Sequence, residues 1–120
     1  MPPYWKSFIE KHSLVGREFS IPDDRDASGV GAVLEILDEQ SSESEETDVY
    51  PGIAVRKDGF VPVGSCCLGS GDPYFICERD GEGGPLYRIY HDQVSEAGYE
   101  ASRAIAIVLN DYRDLLRFAD

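Results

Sequence analysis

Gly69-Ser-Gly-Asp-Pro-Tyr-Phe75 is a sharp chain reversal set between two strand signals, Phe60-Val-Pro-Val63 before it and Tyr74-Phe-Ile-Cys77 after it. A third apolar run, Leu86-Tyr-Arg-Ile-Tyr-His91, follows one Gly-rich loop later. Short strands joined by short Gly-bearing turns make an antiparallel meander the simplest topology. Pro62 cannot donate to a ladder, so it belongs at an edge or with its nitrogen turned from the partner strand. Upstream, Tyr50-Pro-Gly52 breaks the chain and Ile53-Ala-Val55 reads as a strand; Lys57-Asp-Gly59 then reads as a hairpin turn into Phe60.

Outward from that centre the pattern becomes helical. Pro2 and Pro3 suit a first helical turn, and Tyr4/Trp5, Phe8/Ile9 and His12 recur at three- and four-residue spacing, with Gly16 as the stop. The stretch from Ile21 to Gly29 is a loop by composition, and the second half of Val30–Leu37 reads as a strand. Ser41-Ser-Glu-Ser-Glu-Glu-Thr-Asp48 holds four acids and no base; it is a short helix capped by Ser41 or Ser42, or a solvated loop. Beyond His91-Asp92, Ala101, Ile105, Val108/Leu109, Tyr112 and Leu115/Leu116 form a stripe at helical spacing, predicting one long helix capped by Asp92 or Ser95. The expected fold is therefore a single α+β domain over 1–120: a curved, mostly antiparallel sheet of about four to six strands covered by N- and C-terminal helices.

At 120 residues and 42% hydrophobic the chain is long enough to bury a core, and its charge is its unusual property. Twenty-three acids against eleven bases give −12. That field repels nucleic-acid phosphates and anionic membranes and attracts basic proteins. The three cysteines, two of them adjacent, cannot all pair within the chain, which points to a reducing compartment, the cytoplasm. The N-terminal residues lack the pattern of a signal peptide, and no apolar run has transmembrane length.

A search for chemistry finds little. Gly29-Val-Gly31 opens like a dinucleotide fingerprint, but Leu34 stands where the third glycine belongs, so no cofactor is expected. Adjacent Cys66 and Cys67 point to opposite strand faces and have no ligand spacing with Cys77 or His91, so no metal is expected either. The histidines, His12 and His91, have no nucleophile elbow near them, and Asp72 reads as a turn former bonding its own backbone.

The order of the central motifs resembles the SUKH superfamily. The matching pieces are Tyr50-Pro-Gly-Ile53, Asp58-Gly-Phe-Val-Pro-Val-Gly64, Gly71-Asp-Pro-Tyr-Phe75 and Pro85-Leu-Tyr-Arg-Ile-Tyr-His-Asp92. On that resemblance Pro51, Gly52, Gly59, Pro62, Gly64, Gly71, Asp72, Tyr87 and His91 are motif positions that maintain the scaffold. The resemblance implies a bacterial immunity protein that binds and neutralises a cognate toxin, often a nuclease, with no shared catalytic residues. The expected contacts are Glu43, Glu45, Glu46 and Asp48, then Asp23 and Asp24, with Tyr4 or Tyr74 as an exposed aromatic anchor. A general protein-binding scaffold is the alternative, and a small hydrolase using His91 with a cysteine is the third reading.

Overall fold

A computed structural model describes residues 1–69 and 71–118. The fold is α+β. Its centre is a six-stranded antiparallel sheet whose spatial order follows the chain: β1 (Glu18–Ile21), β2 (Ala32–Ile36), β3 (Phe60–Cys66), β4 (Tyr74–Cys77), β5 (Leu86–Ile89) and, at the far edge, β8 (Ile105–Leu109). A separate two-stranded hairpin, β6 (Val94–Ser95) and β7 (Gly98–Tyr99), stands between β5 and β8 in sequence. The sheet curls strongly enough for the β1–β2 connection to reach the opposite edge, where the Ala27 amide donates to the Val108 carbonyl at 2.8 Å.

Helix α1 (Pro3–Lys11) forms as its stripe predicts and lays Trp5, Phe8 and Ile9 on one sheet face. There they meet Leu34, Val61, Val63, Tyr74, Ile76 and Leu86, with Tyr112 and Leu115 closing the cluster. The Tyr112 ring stands edge-on to both Trp5 and Phe8, at 5.1 Å from each. The opposite face is thinner, built on Val55, Phe75, Ile89, Val94 and Ala104. Strand parity sorts the two faces: Leu86 and Arg88 go to the α1 side, Tyr87 and Ile89 to the other.

Three expectations are corrected. The residues predicted as one C-terminal helix instead form the β6–β7 hairpin, the short helix α4 (Ala101–Ala104), β8 and a 3-10 helix over Tyr112–Phe118. Ile105-Ala-Ile-Val-Leu109 is β-branched and apolar on both faces, and the sheet edge claims it through the pairs Ile89↔Ile105 and Leu86↔Leu109. Ile53–Val55 is helical, not extended: in α3 (Gly52–Val55) the amides of Ala54 and Val55 both donate to the Pro51 carbonyl. Lys57–Asp58 lie in a 3-10 turn that carries α3 into β3, so Gly59, at φ 91°, ends that turn just before β3 rather than closing a hairpin. Pro62 takes the second place expected of it: β2 pairs with β3 only from Gly64 onward, and the Pro62 carbonyl turns to Ser42 of α2, so its nitrogen, on the same side of the strand, is turned from β4. A register shift between Pro62 and Gly64 interrupts the β3–β4 ladder there.

Glu18–Ile21 is a strand where the sequence reading assigned nothing to Glu18–Ser20 and began its loop at Ile21; Phe19 and Ile21 are buried at alternate positions. The acidic segment is the helix α2 (Glu39–Asp48), and its cap is Asp38, whose Oδ1 accepts from the Ser41 amide at 2.7 Å. Ser42 is not the cap: its buried hydroxyl donates to the Pro62 carbonyl at 2.5 Å and ties α2 to β3. Gly64 is fixed by packing, since a Cβ there would lie 2.7 Å from Leu34 Cδ1. Among the described residues no helix is long and apolar enough to cross a membrane.

Candidate functional site

The candidate acids fall into two groups. Asp23 and Asp24 are exposed on the loop that enters β2 at Ala32, whereas α2 begins just after β2 ends at Ile36. The length of β2, roughly 15 Å at strand rise, lies between them, so they do not form one patch with α2.

On α2 itself, Glu39 pairs with Lys6 at 3.1 Å and Glu46 with Arg56 at 3.0 Å, both at the surface. Such pairs contribute little to stability. Glu43 and Asp48 are exposed and Glu45 half-buried, and no cation among the described residues pairs with them. At the end of α2 the chain exposes Val49 (44%), Tyr50 (40%) and Ile53 (38%) in succession, an apolar step beside the unneutralised acids. A shallow groove of about 450 Å³, lined by Leu37, Gln40, Ser44 and Val49 among others, runs along the same helix.

Neither expected aromatic anchor is an exposed one. Tyr74 is wholly buried, since it follows the Gly-Asp-Pro corner with its side chain on the α1 face. Its hydroxyl accepts from Arg88 Nη2 at 3.1 Å; burial pushes the phenol pKa up and the guanidinium opposes this. Tyr4 is half-buried, stacked near Tyr112, and its hydroxyl is enclosed with no hydrogen-bond partner among the described residues. Burial, reinforced by Tyr112, raises its pKa as well. An enclosed donor without an acceptor costs about 1–3 kcal/mol. Tyr4→Phe is therefore expected to leave stability unchanged or raise it by about 1 kcal/mol, read from urea unfolding. A loss of stability would show that the hydroxyl is bonded.

Sequence reasoning missed a buried charge with four hydrogen-bond partners. Arg88, 3% exposed, bonds Asp26 Oδ2 (3.4 Å) and Ser28 Oγ (2.8 Å) through Nη1, and the Gly31 carbonyl (2.5 Å) through Nη2. The signal was present: Arg88 has the inward parity of Leu86, and an arginine at a buried position requires a partner.

Asp72 does more than shape its own turn. Its Oδ1 accepts from the His91 amide at 2.9 Å and lies 2.6 Å from His91 Nδ1, fastening the corner before β4 to the end of β5. Ser70, within that corner, lies outside the described residues. Gly71 stands against the His91 ring, with φ 78°. Among the described residues no cluster of His, Cys, Asp and Glu is arranged to hold a metal ion.

An open cleft of about 730 Å³ lies on the thinner sheet face beneath the β6–β7 hairpin. Phe60 and Tyr87 meet edge to face on its floor, and Tyr99 of the hairpin lines a wall. Tyr87 donates its hydroxyl proton to Asp80 Oδ2 at 2.7 Å, and Tyr99 donates to Asp58. Burial first, and the neighbouring carboxylate second, push both phenol pKa values well above the usual tyrosine range. Sequence reasoning missed this cleft too, because its walls come from segments about forty residues apart.

No protein-family model, curated protein or solved structure matches this chain.

Proposed function

We propose that this chain is a cytoplasmic immunity protein of the SUKH type, which binds a cognate basic, nuclease-like toxin stoichiometrically and blocks its nucleic-acid-binding face. The observation that carries the reading is α2: Glu43, Glu45 and Asp48, with no ion-pair partner among the described residues, held on a helix beside exposed Val49, Tyr50 and Ile53. The acids supply long-range attraction to a basic surface, and the apolar step supplies area to desolvate on contact. A net charge of −12 adds to the attraction at every approach angle. The thiols of Cys66, Cys67 and Cys77 suit a reducing compartment.

The test is co-expression. A toxin encoded beside this gene should kill cells lacking the chain and spare cells that make it. With that toxin in hand, Glu43→Lys combined with Asp48→Lys is expected to slow association about 10- to 100-fold at low salt, measured by stopped-flow fluorescence. Asp23→Lys with Asp24→Lys, at the far end of β2, should slow it far less. An association rate indifferent to salt between 0.05 and 0.5 M, roughly a threefold change in screening length, would sink the electrostatic mechanism.

A further inference from the structure

We infer that the cleft beneath the β6–β7 hairpin recognises the guanidinium group of an arginine side chain presented by the partner. The inference rests on the reading of the partner as a basic protein, but its chemistry comes from the cleft alone. Each phenol has one proton to donate, and Tyr87 and Tyr99 both donate theirs to carboxylates. What the two pairs have left is acceptor capacity: two phenol oxygens and the second oxygens of Asp58 and Asp80. Both hydroxyls are protonated at neutral pH, as any phenol with a pKa of about 10 is, and burial widens that margin.

Around those acceptors stand the rings of Phe60, Tyr87 and Tyr99. Aromatic faces combined with surplus acceptors are the chemistry that attracts a cation. A guanidinium fits better than an ammonium, because its five donors lie in one plane, stack on rings and lose less hydration on entry. The hairpin and the 3-10 turns bring both tyrosine–carboxylate pairs to the lining of this one cleft.

Lys57 and Arg79 also line the cleft, and both are exposed. Arg79 extends to the Lys57 carbonyl at 3.5 Å, so the rim itself carries one guanidinium against an acceptor. These two cations weaken the site by like-charge repulsion without removing its acceptors, which gives the inference a variant of opposite sign.

The experiment is an amide NMR titration of the full chain with N-acetyl-arginine amide, N-acetyl-citrulline amide (the same shape without charge) and acetate. The arginine probe is expected to shift the amides of Phe60, Tyr87, Tyr99 and Ile105 saturably, with a dissociation constant on the order of millimolar. Citrulline should bind about tenfold more weakly, since bonds to a charged group exceed neutral ones by that order. Asp80→Asn, at an exposed position, should weaken the arginine probe several-fold, and Arg79→Gln should tighten it. Absence of saturable shifts at these amides, equal binding of citrulline, or acetate shifting Lys57 and Arg79 more strongly than arginine shifts the cleft would each overturn the inference. Glu43→Lys with Asp48→Lys should leave the titration unchanged, so failure of the α2 mechanism and failure of the cleft are read separately.

Discussion

Arg88→Met is expected to destabilise the fold by about 3–5 kcal/mol, the cost of breaking a buried ion pair from one side. The substitution preserves apolar bulk but removes the cation paired with Asp26, itself 4% exposed. Asp26 keeps its bonds from the Ser28 amide and hydroxyl, both at 2.7 Å, yet a carboxylate enclosed in protein needs more than two neutral donors. The Gly31 carbonyl and the Tyr74 hydroxyl lose their partner in the same step. For a domain of this length the melting temperature should fall by roughly 10–25 °C. Because the pair is enclosed, 0.5 M salt should change the loss little. Adding Asp26→Asn should return part of it, since an amide tolerates the site without a counter-charge; the cycle should show a coupling of about 1–3 kcal/mol. The bonds join β5 to a loop about sixty residues earlier, so the amide of Ala27, which closes the curl onto β8, should exchange faster as well. A loss below about 1 kcal/mol would mean that the network merely decorates a fold held by apolar packing.

The parts of this fold that local chemistry decides are legible in its sequence. Phe60–Cys66, Tyr74–Cys77 and Leu86–Ile89 are apolar runs bounded by Gly and Pro, and α1 has one apolar stripe opened by prolines. Where two periods fit the same letters, local chemistry does not decide. Ala101, Ile105, Val108 and Tyr112 satisfy a helix, but Ala106 and Ile107 put apolar groups on its other side, as a strand at a sheet edge requires. Ile53-Ala-Val55 is too short to carry a period, and the carbonyl of Pro51 settles it as a helical turn. The acidic helix was legible as charge, while its isolation from Asp23 and Asp24 depends on which end of β2 each occupies. The Arg88–Asp26 pair and the Tyr99–Asp58 bond are tertiary throughout: each joins positions more than forty residues apart with no spacing to mark them.

Gly52→Ala is expected to unseat α2 and, with it, the surface on which the proposed function depends. A Cβ at position 52 would lie 2.0 Å from the Glu45 carbonyl oxygen and 2.9 Å from its carbon. Those are backbone atoms of α2, with no rotamer to yield, so either α3 or α2 must move. Relief by small adjustments in a packed interior costs about 1–3 kcal/mol and more when backbone is hit directly. α3 is anchored by Val55, wholly buried in the thinner core. α2 has no comparable hold: Ser42 is its one buried residue, bonded to the Pro62 carbonyl, and its ion pairs to Lys6 and Arg56 are at the surface. The helix that gives way is therefore α2. Its detachment sets a ceiling on the global loss, because beyond that cost the clash is relieved by local unfolding. The expected signature is a fall in melting temperature of several degrees together with loss of exchange protection across the α2 amides, while protection in β3 to β5 persists. Association with the proposed basic partner should slow and its complex weaken even though every acid is retained, because Glu43, Glu45 and Asp48 would then have to be ordered on binding. Intact α2 protection in Gly52→Ala would mean that α3 yields instead, and that α2 holds its place by more than Ser42.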